Sequence, residues 1–209
     1  MNTAIRWRII TLQTVLVVVL AAASGFAFFE GTFVTNLIHD ELVSQQIYFP
    51  GTDQIKAGGA LDPAEFPAEI RDYAGTQVDN GDKARVYAND FIAKHLQGVA
   101  NGETYSQVST QLIADNAKLA AMSQDDPGYA ALQQRINTES AQRTTLFQGD
   151  TLRSSLLNAY GWYTFGTYTI WAGIGLMLAA LVVLGALAFE LFVAGRKPEN
   201  IKFARKIAA

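Results

Sequence analysis

Apolar positions along the chain follow two rhythms. From Ile9 to Phe29 they are nearly continuous, and 21 residues without a charge lie between Arg8 and Glu30, the length of one helical membrane crossing. A second charge-free stretch of 36 residues, 154–189, separates Arg153 from Glu190. Between these stretches hydrophobic residues recur at spacings of three and four, the period of half-buried helices. Phe33, Leu37, Ile38 and Leu42 continue the first helix outward to a break at Pro50-Gly51. From Tyr48 to Phe66 the punctuation by Pro50, Gly51, Gly58, Gly59 and Pro63 predicts a long exposed connection that wraps or contacts a neighbour. Asp62-Pro63 as an N-cap and Gly75 as a stop predict a short helix over about 63–74, strained by Pro67.

Three longer helical stripes follow. Behind Asn80-Gly81-Asp82, the residues Ala84, Tyr87, Ala88, Phe91, Ile92, His95 and Val99 share one face. Thr104-Tyr105-Ser106-Gln107 matches a capping box, and the helix behind it carries Val108, Leu112, Ile113, Ala117 and Ala120. After the turn Asp125-Asp126-Pro127-Gly128 come Tyr129, Leu132, Ile136 and Phe147, interrupted by polar Ser140. No period-two alternation competes with these helices. The expected fold is an all-α membrane protein, two transmembrane helices bracketing an extracytoplasmic helical bundle.

The second charge-free stretch is well beyond the ~20 residues of one span. Leu152, Leu156, Leu157, Tyr160 and Tyr163 have the pattern of an amphipathic approach to the membrane, and Trp162, Tyr163, Tyr168 and Trp171 form an aromatic group suited to the headgroup level. A surface helix at 152–163 followed by one span is therefore expected, because two spans would leave the basic tail outside. The resulting segments are 1–8 cytoplasmic, 9–29 spanning, 30–153 outer domain, 154–167 interfacial, 168–193 spanning and 194–209 a basic cytoplasmic tail.

Charge orients this arrangement. The whole chain carries −3, but unevenly. Arg6 and Arg8 stand alone before the first span, 17 acids face nine bases in 30–153, and Arg196, Lys197, Lys202, Arg205 and Lys206 dominate the tail. Short basic flanks are retained in the cytoplasm, so both termini are expected there, in the cytoplasmic membrane. An acidic exterior argues against nucleic acid as a partner and leaves membrane lipid and protein. The small residues Ala21 to Gly25 also fit an export signal, but the apolar run continues through Phe26, Ala27, Phe28 and Phe29, longer than a signal core. The segment reads as a retained anchor. The absence of cysteine removes disulfides and thiol chemistry.

Candidate chemistry is sparse. His39-Asp40-Glu41 is the one cluster of metal-ligand residue types, but three successive helical residues point in three directions. His95 lies on an aromatic stripe and reads as a packing histidine. No G-x-S-x-G turn, phosphate cradle or calcium-loop spacing is present, and the expectation is a protein that is not an enzyme and holds no metal or cofactor of its own. Glycines and alanines of the second span, with Ala21 to Gly25 in the first, offer small faces for close helix approach. Glu190, six residues before Arg196-Lys197, lies at a depth where an ionisable group calls for a cation.

Two spans around an acidic helical domain resemble chemoreceptor sensors in layout, which leaves open a membrane-anchored sensing or ligand-binding module. A closer resemblance rests on His39-Asp40-Glu41-Leu42, Gln46-Ile47-Tyr48-Phe49-Pro50, Tyr73-Ala74-Gly75-Thr76-Gln77-Val78-Asp79-Asn80-Gly81, the run from Tyr87 to Leu96, Thr104-Tyr105-Ser106-Gln107-Val108-Ser109, and Gly149-Asp150-Thr151-Leu152-Arg153 leading to Trp162. These motifs cover most of the chain and resemble a family of small actinobacterial two-span membrane proteins. The family resembles the accessory association-factor subunit of the cytochrome bcc–aa3 respiratory supercomplex. The resemblance implies a structural subunit without redox centres, with cytochrome bcc and cytochrome aa3 oxidase subunits as partners. Members are sometimes labelled aromatic-ring-opening dioxygenases. Extradiol chemistry needs iron held by histidines and a carboxylate, and His39 and His95, on unrelated helices, do not supply that set. The expected partner contacts are His39, Tyr48, Phe49, Trp162, Trp171, Gly173 and Glu190.

Overall fold

A computed structural model describes residues 3–192; the expected basic tail, 194–209, lies outside the described residues. Helices make up most of these residues, with one isolated antiparallel bridge, Tyr48 to Gln77, and no strand among them. The helices are α1 (Thr3–Ser44), α2 (Ala68–Asp72), α3 (Gly81–Val86), a π-helical segment (Tyr87–Ile92), α4 (Ala93–Gln97), α5 (Tyr105–Ala120) and α6 (Tyr129–Phe192). The described residues divide into two compact units, one of 3–34 with 165–192 and one of 35–164.

The first unit is an antiparallel pair formed by α1 and the end of α6. Its register stays constant over its length. Ser24 Oγ donates to the Gly173 carbonyl at 2.7 Å, and an Arg6 guanidinium nitrogen donates to the Glu190 carbonyl at 2.6 Å. Farther toward the other end, a Cβ on Gly31 would sit 2.7 Å from the Gly166 carbonyl oxygen and 2.8 Å from the Ile170 amide nitrogen. Only a glycine allows the backbones that close. Both α1 and α6 contain windows long and apolar enough to cross a membrane, of which only 11% and 17% is buried by the rest of the protein. A soluble core helix would bury most of such a window. The 21 residues from Ile9 to Phe29 rise about 32 Å as a helix, close to the hydrocarbon thickness of a bilayer.

The second unit is built around the 45–80 segment. α1 ends where Gln46 takes a left-handed conformation (φ 52°), and the Val43 carbonyl of its last turn accepts from Gln46 N at 3.2 Å and from the Gln77 side-chain amide at 2.8 Å. Residues 47–50 then pair with 75–78. Phe49 N donates to Thr76 O at 2.9 Å, Val78 N to Ile47 O at 2.9 Å, and Gly75 N to Pro50 O at 2.9 Å. This clip drives Phe49 inward, 2% exposed, between Tyr73 and Tyr87 with ring centroids 5.5 and 5.2 Å away. Leu61, Ile70, Val78 and Val86 are fully covered around it. The expectation of an exposed 48–66 connection is therefore corrected: it wraps, but Phe49, Leu61 and Phe66 place it in the core. Its glycines and prolines serve turns, and its apolar residues fill space.

The short helix begins later than Asp62. Pro67 takes the N-cap position of α2, while the Asp62 carboxylate accepts from Gly58 N (2.6 Å) and Ala64 N (2.9 Å) to hold a turn; these amides lower its pKa. The Thr104–Gln107 capping box forms as expected, with Gln107 Oε1 accepting from Thr104 N at 2.8 Å.

The 81–97 helical run lies along α6 with an antiparallel register. Gly81 abuts Tyr163, Arg85 sits 5.9 Å from the Tyr160 ring centroid, Arg153 donates to Asn89 Oδ1 at 3.0 Å, and Leu96 packs over Gly149. The expected interfacial segment over 154–167 is not a separate surface helix. α6 runs unbroken from Tyr129 to Phe192, and the inward face of 149–163 receives the 81–97 run. Its amphipathicity reflects protein packing there. Likewise Leu146 is buried, and Phe147, expected on the stripe, faces outward beside Tyr105, 5.9 Å between ring centroids.

Candidate functional site

The expected contact residues separate into buried braces and exposed positions. In the second unit His39 is exposed on α1, and its Nδ1 lies 2.7 Å from the Asp79 carbonyl oxygen. This hydrogen bond ties α1 to the end of the clip. Asp40 and Glu41 diverge from it around the helix, and among the described residues no group of three His, Cys, Asp or Glu side chains could hold a metal ion. His95 stacks on Phe91 at 4.3 Å between centroids and on Phe66 at 6.0 Å, with Nδ1 2.8 Å from the Phe91 carbonyl oxygen. It is an exposed packing residue on a different element from His39.

Tyr48 and Phe49 alternate across the clip, as adjacent extended residues must. Tyr48 is 56% exposed and available for a contact; Phe49 is not. The expectation for Phe49 is thus corrected: it is a core anchor. Trp162 is half-exposed on α6.

In the first unit Gly173 is also removed from the set of external contacts. It is buried, and a Cβ there would stand 3.1 Å from Phe28 N and 3.2 Å from Ser24 O. Its role is to let α6 touch α1. Glu190 finds its cation within the same chain: Arg6 Nε lies 3.8 Å from Glu190 Oε2, and the guanidinium caps the Glu190 carbonyl near the C-terminus of α6, where the helix dipole favours positive charge. Trp171 is 65% exposed, and Phe165 and Tyr168 are exposed nearby on the same helix. Spaced by three, these rings are neighbours along one side of α6 and form an exposed aromatic strip.

No family model matches the chain. No curated protein and no solved structure matches it either. The surfaces themselves therefore carry the functional argument.

Two features escape a reading of the sequence. The first is an apolar groove of about 360 Å³ between the paired helices of the first unit, lined by Ser24, Gly25, Phe28, Gly173, Ile174, Met177 and Leu178. Ser24 Oγ is bonded to Gly173 O, so it directs no free donor into the groove. Gly25 opens on empty space: a Cβ there meets nothing within 4 Å. Small residues in both spans are visible in the sequence, but only the helix register separates Gly31 and Gly173, which close the pair, from Gly25, which leaves a notch. The second feature is a charge cluster between α5 and α6, in which the buried carboxylates of Asp115 and Glu139 are met by the exposed cations of Lys118 and Arg135. Its four members lie on two helices separated by a turn, and each alone reads as an ordinary surface charge.

Proposed function

We propose that this protein is a non-catalytic accessory subunit of a respiratory electron-transfer supercomplex of the cytochrome bcc–aa3 type, held in the cytoplasmic membrane by α1 and the end of α6 with the acidic 35–164 unit outside. The observation that supports this reading is the paired span-grade helices, whose apolar windows stay 11% and 17% buried and whose surface carries the notch at Gly25. Helices already locked to each other by Ser24, Gly31 and Gly173 have their own close-packed contact. Their remaining faces are free for lipid and for helices of a partner, where a small residue permits close approach. The resemblance of the motifs from His39 to Trp162 to the association-factor family supports cytochrome bcc and cytochrome aa3 oxidase as the partners.

The test is purification of the tagged full-length protein from native membranes in a mild detergent, with absorption spectra of the eluate. Co-elution of a- and c-type haems is expected, and their absence refutes the reading. Gly25→Leu fills the notch from a position where a Cβ meets nothing within 4 Å. It should keep the thermal stability of the purified chain and lower the haem recovered per mole of protein.

A further inference from the structure

α5 is fastened to α6 by two unlike halves. In the first half Val108 and Leu112 are buried, and Val108 joins Ala100 and Leu146 in a small apolar cluster. Beyond Leu112 the one buried residue of α5 is Asp115, 4% exposed. Lys118 Nζ donates to Asp115 Oδ1 at 2.9 Å, and Arg135 of α6 grips Asp115 Oδ2. The same guanidinium lies 3.6 Å from Oε1 of Glu139, one turn farther along α6. The distal half of α5 is thus held by a charge network where an ordinary helix pair would use apolar side chains.

Glu139 is 8% exposed, and its Oε2 is buried with no hydrogen-bond partner. These side chains line a groove of about 350 Å³ with Gln111 and Ala114. Although the groove is open, Oε2 itself has no surface left for a water, so an ammonium or metal ion cannot reach it. A proton can. Ionised, that oxygen is an uncompensated buried acceptor; protonated, it is neutral and its burial is tolerated.

We propose that the α5–α6 seam is a proton-operated latch: a proton on Glu139 closes it, and neutralising Asp115 opens it. The charged groups facing Glu139 are Asp115 and Lys118 from α5, Arg135 from α6, and Glu103 from the connection before α5, whose carboxylate accepts from Gln111 Nε2 at 2.6 Å. Burial first, and then the charge of Asp115, push the Glu139 carboxyl above its ordinary range against the pull of Arg135. The Lys118 hydrogen bond, reinforced by Arg135, holds Asp115 below its ordinary range in spite of burial. The two carboxyl groups of one seam are driven apart, Glu139 toward keeping its proton and Asp115 toward losing it.

The signs follow from linkage. Glu139, raised on docking, favours the docked state fully below the ordinary glutamate range, and that contribution is lost as pH rises through the raised value. Asp115, depressed on docking, favours the docked state above the ordinary aspartate range, and that contribution is lost as pH falls through the depressed value. Docking is strongest between the two. The latch belongs to the 35–164 unit and stands whichever partner the protein has.

The chain has no cysteine, so a spin-label pair can be placed at will. Ala120→Cys on α5 and Thr138→Cys on α6 are both exposed sites. Inter-label distances are measured on the full chain in detergent between about pH 2 and pH 9, which extends below as well as above the ordinary carboxylate values. A longer-distance population should grow at both extremes, its ratio to the short one changing by at most about tenfold per pH unit, the limit for one proton. Glu139→Gln should abolish the alkaline limb alone. Lys118→Gln, which keeps Asp115 but removes a donor to it, should move the acid limb to higher pH. A distance that is constant across the range, an alkaline limb that survives Glu139→Gln, or an acid limb unmoved by Lys118→Gln would each overturn the proposal.

Discussion

Replacing Phe49 by alanine tests the central claim about the second unit, that the 48–66 connection is core rather than contact surface. Phe49 is 2% exposed and has Tyr73 and Tyr87 as ring neighbours. Truncating a buried phenylalanine costs about 3–5 kcal/mol through lost transfer energy and the cavity left behind, and each lost aromatic pair adds about 0.5–1.5 kcal/mol. Phe49 shares its buried cluster with Leu61, Ile70 and Val78, whose partial relaxation into the cavity makes the lower end of this sum, about 4 kcal/mol, appropriate. For a chain of this size, each kcal/mol moves Tm by about 2–4 °C, so Phe49→Ala should lower Tm by about 8–16 °C. The neighbouring Tyr48 is 56% exposed, and Tyr48→Ala should stay within about 0.5 kcal/mol of the parent. Thermal unfolding of the purified full chain in detergent, followed by near-ultraviolet circular dichroism, separates the two. A loss below about 3 °C for Phe49→Ala, or equal losses for both variants, would refute the assignment of Phe49 to the core and return it to the contact surface.

Three further outcomes follow from the same geometry. Gly31→Val forces a Cβ to within 2.8 Å of the Ile170 amide nitrogen and should destabilise the helix pair by at least about 1–3 kcal/mol, whereas Gly25→Val should not; melting of the two variants in one detergent compares them directly. Gly81→Val drives a Cβ to 2.5 Å from Tyr163 Cβ, so the 81–97 run should lift from α6, which proteolysis of the folded protein would report as faster cleavage within that run. Thr104→Ala removes the hydroxyl that accepts from Gln107 N and should cost about 1 kcal/mol, read as a lower denaturation midpoint with an unchanged slope.

Much of the helical layout is legible in the sequence because its signals are local. The Thr104–Gln107 box needs only four residues, the left-handed turn at Gly75 needs one glycine, and 21 charge-free residues need no tertiary partner to declare their length. The 48–66 connection has the pattern of an exposed loop because turn residues and core residues alternate in it. Punctuation by proline and glycine reports where a chain bends, not whether Phe49, Leu61 and Phe66 end inside. The 152–163 face reads equally as a membrane approach, because an amphipathic stripe is the same pattern whether its apolar side meets lipid or a helix such as 81–97.

By itself, then, the sequence determined the all-helical class, the two stretches long and apolar enough to span a bilayer, the main helix caps and the acidic character of the segment between them, all of which depend on residues near one another in the chain. Tertiary structure alone decided which small residues close the α1–α6 pair, that Glu190 meets Arg6, that Phe49 turns inward while Tyr48 turns outward, and that Asp115 and Glu139 share one seam. Those outcomes depend on register between segments distant in sequence, and a shift of one residue in α1 against α6 or in the clip would exchange buried for exposed at every such position.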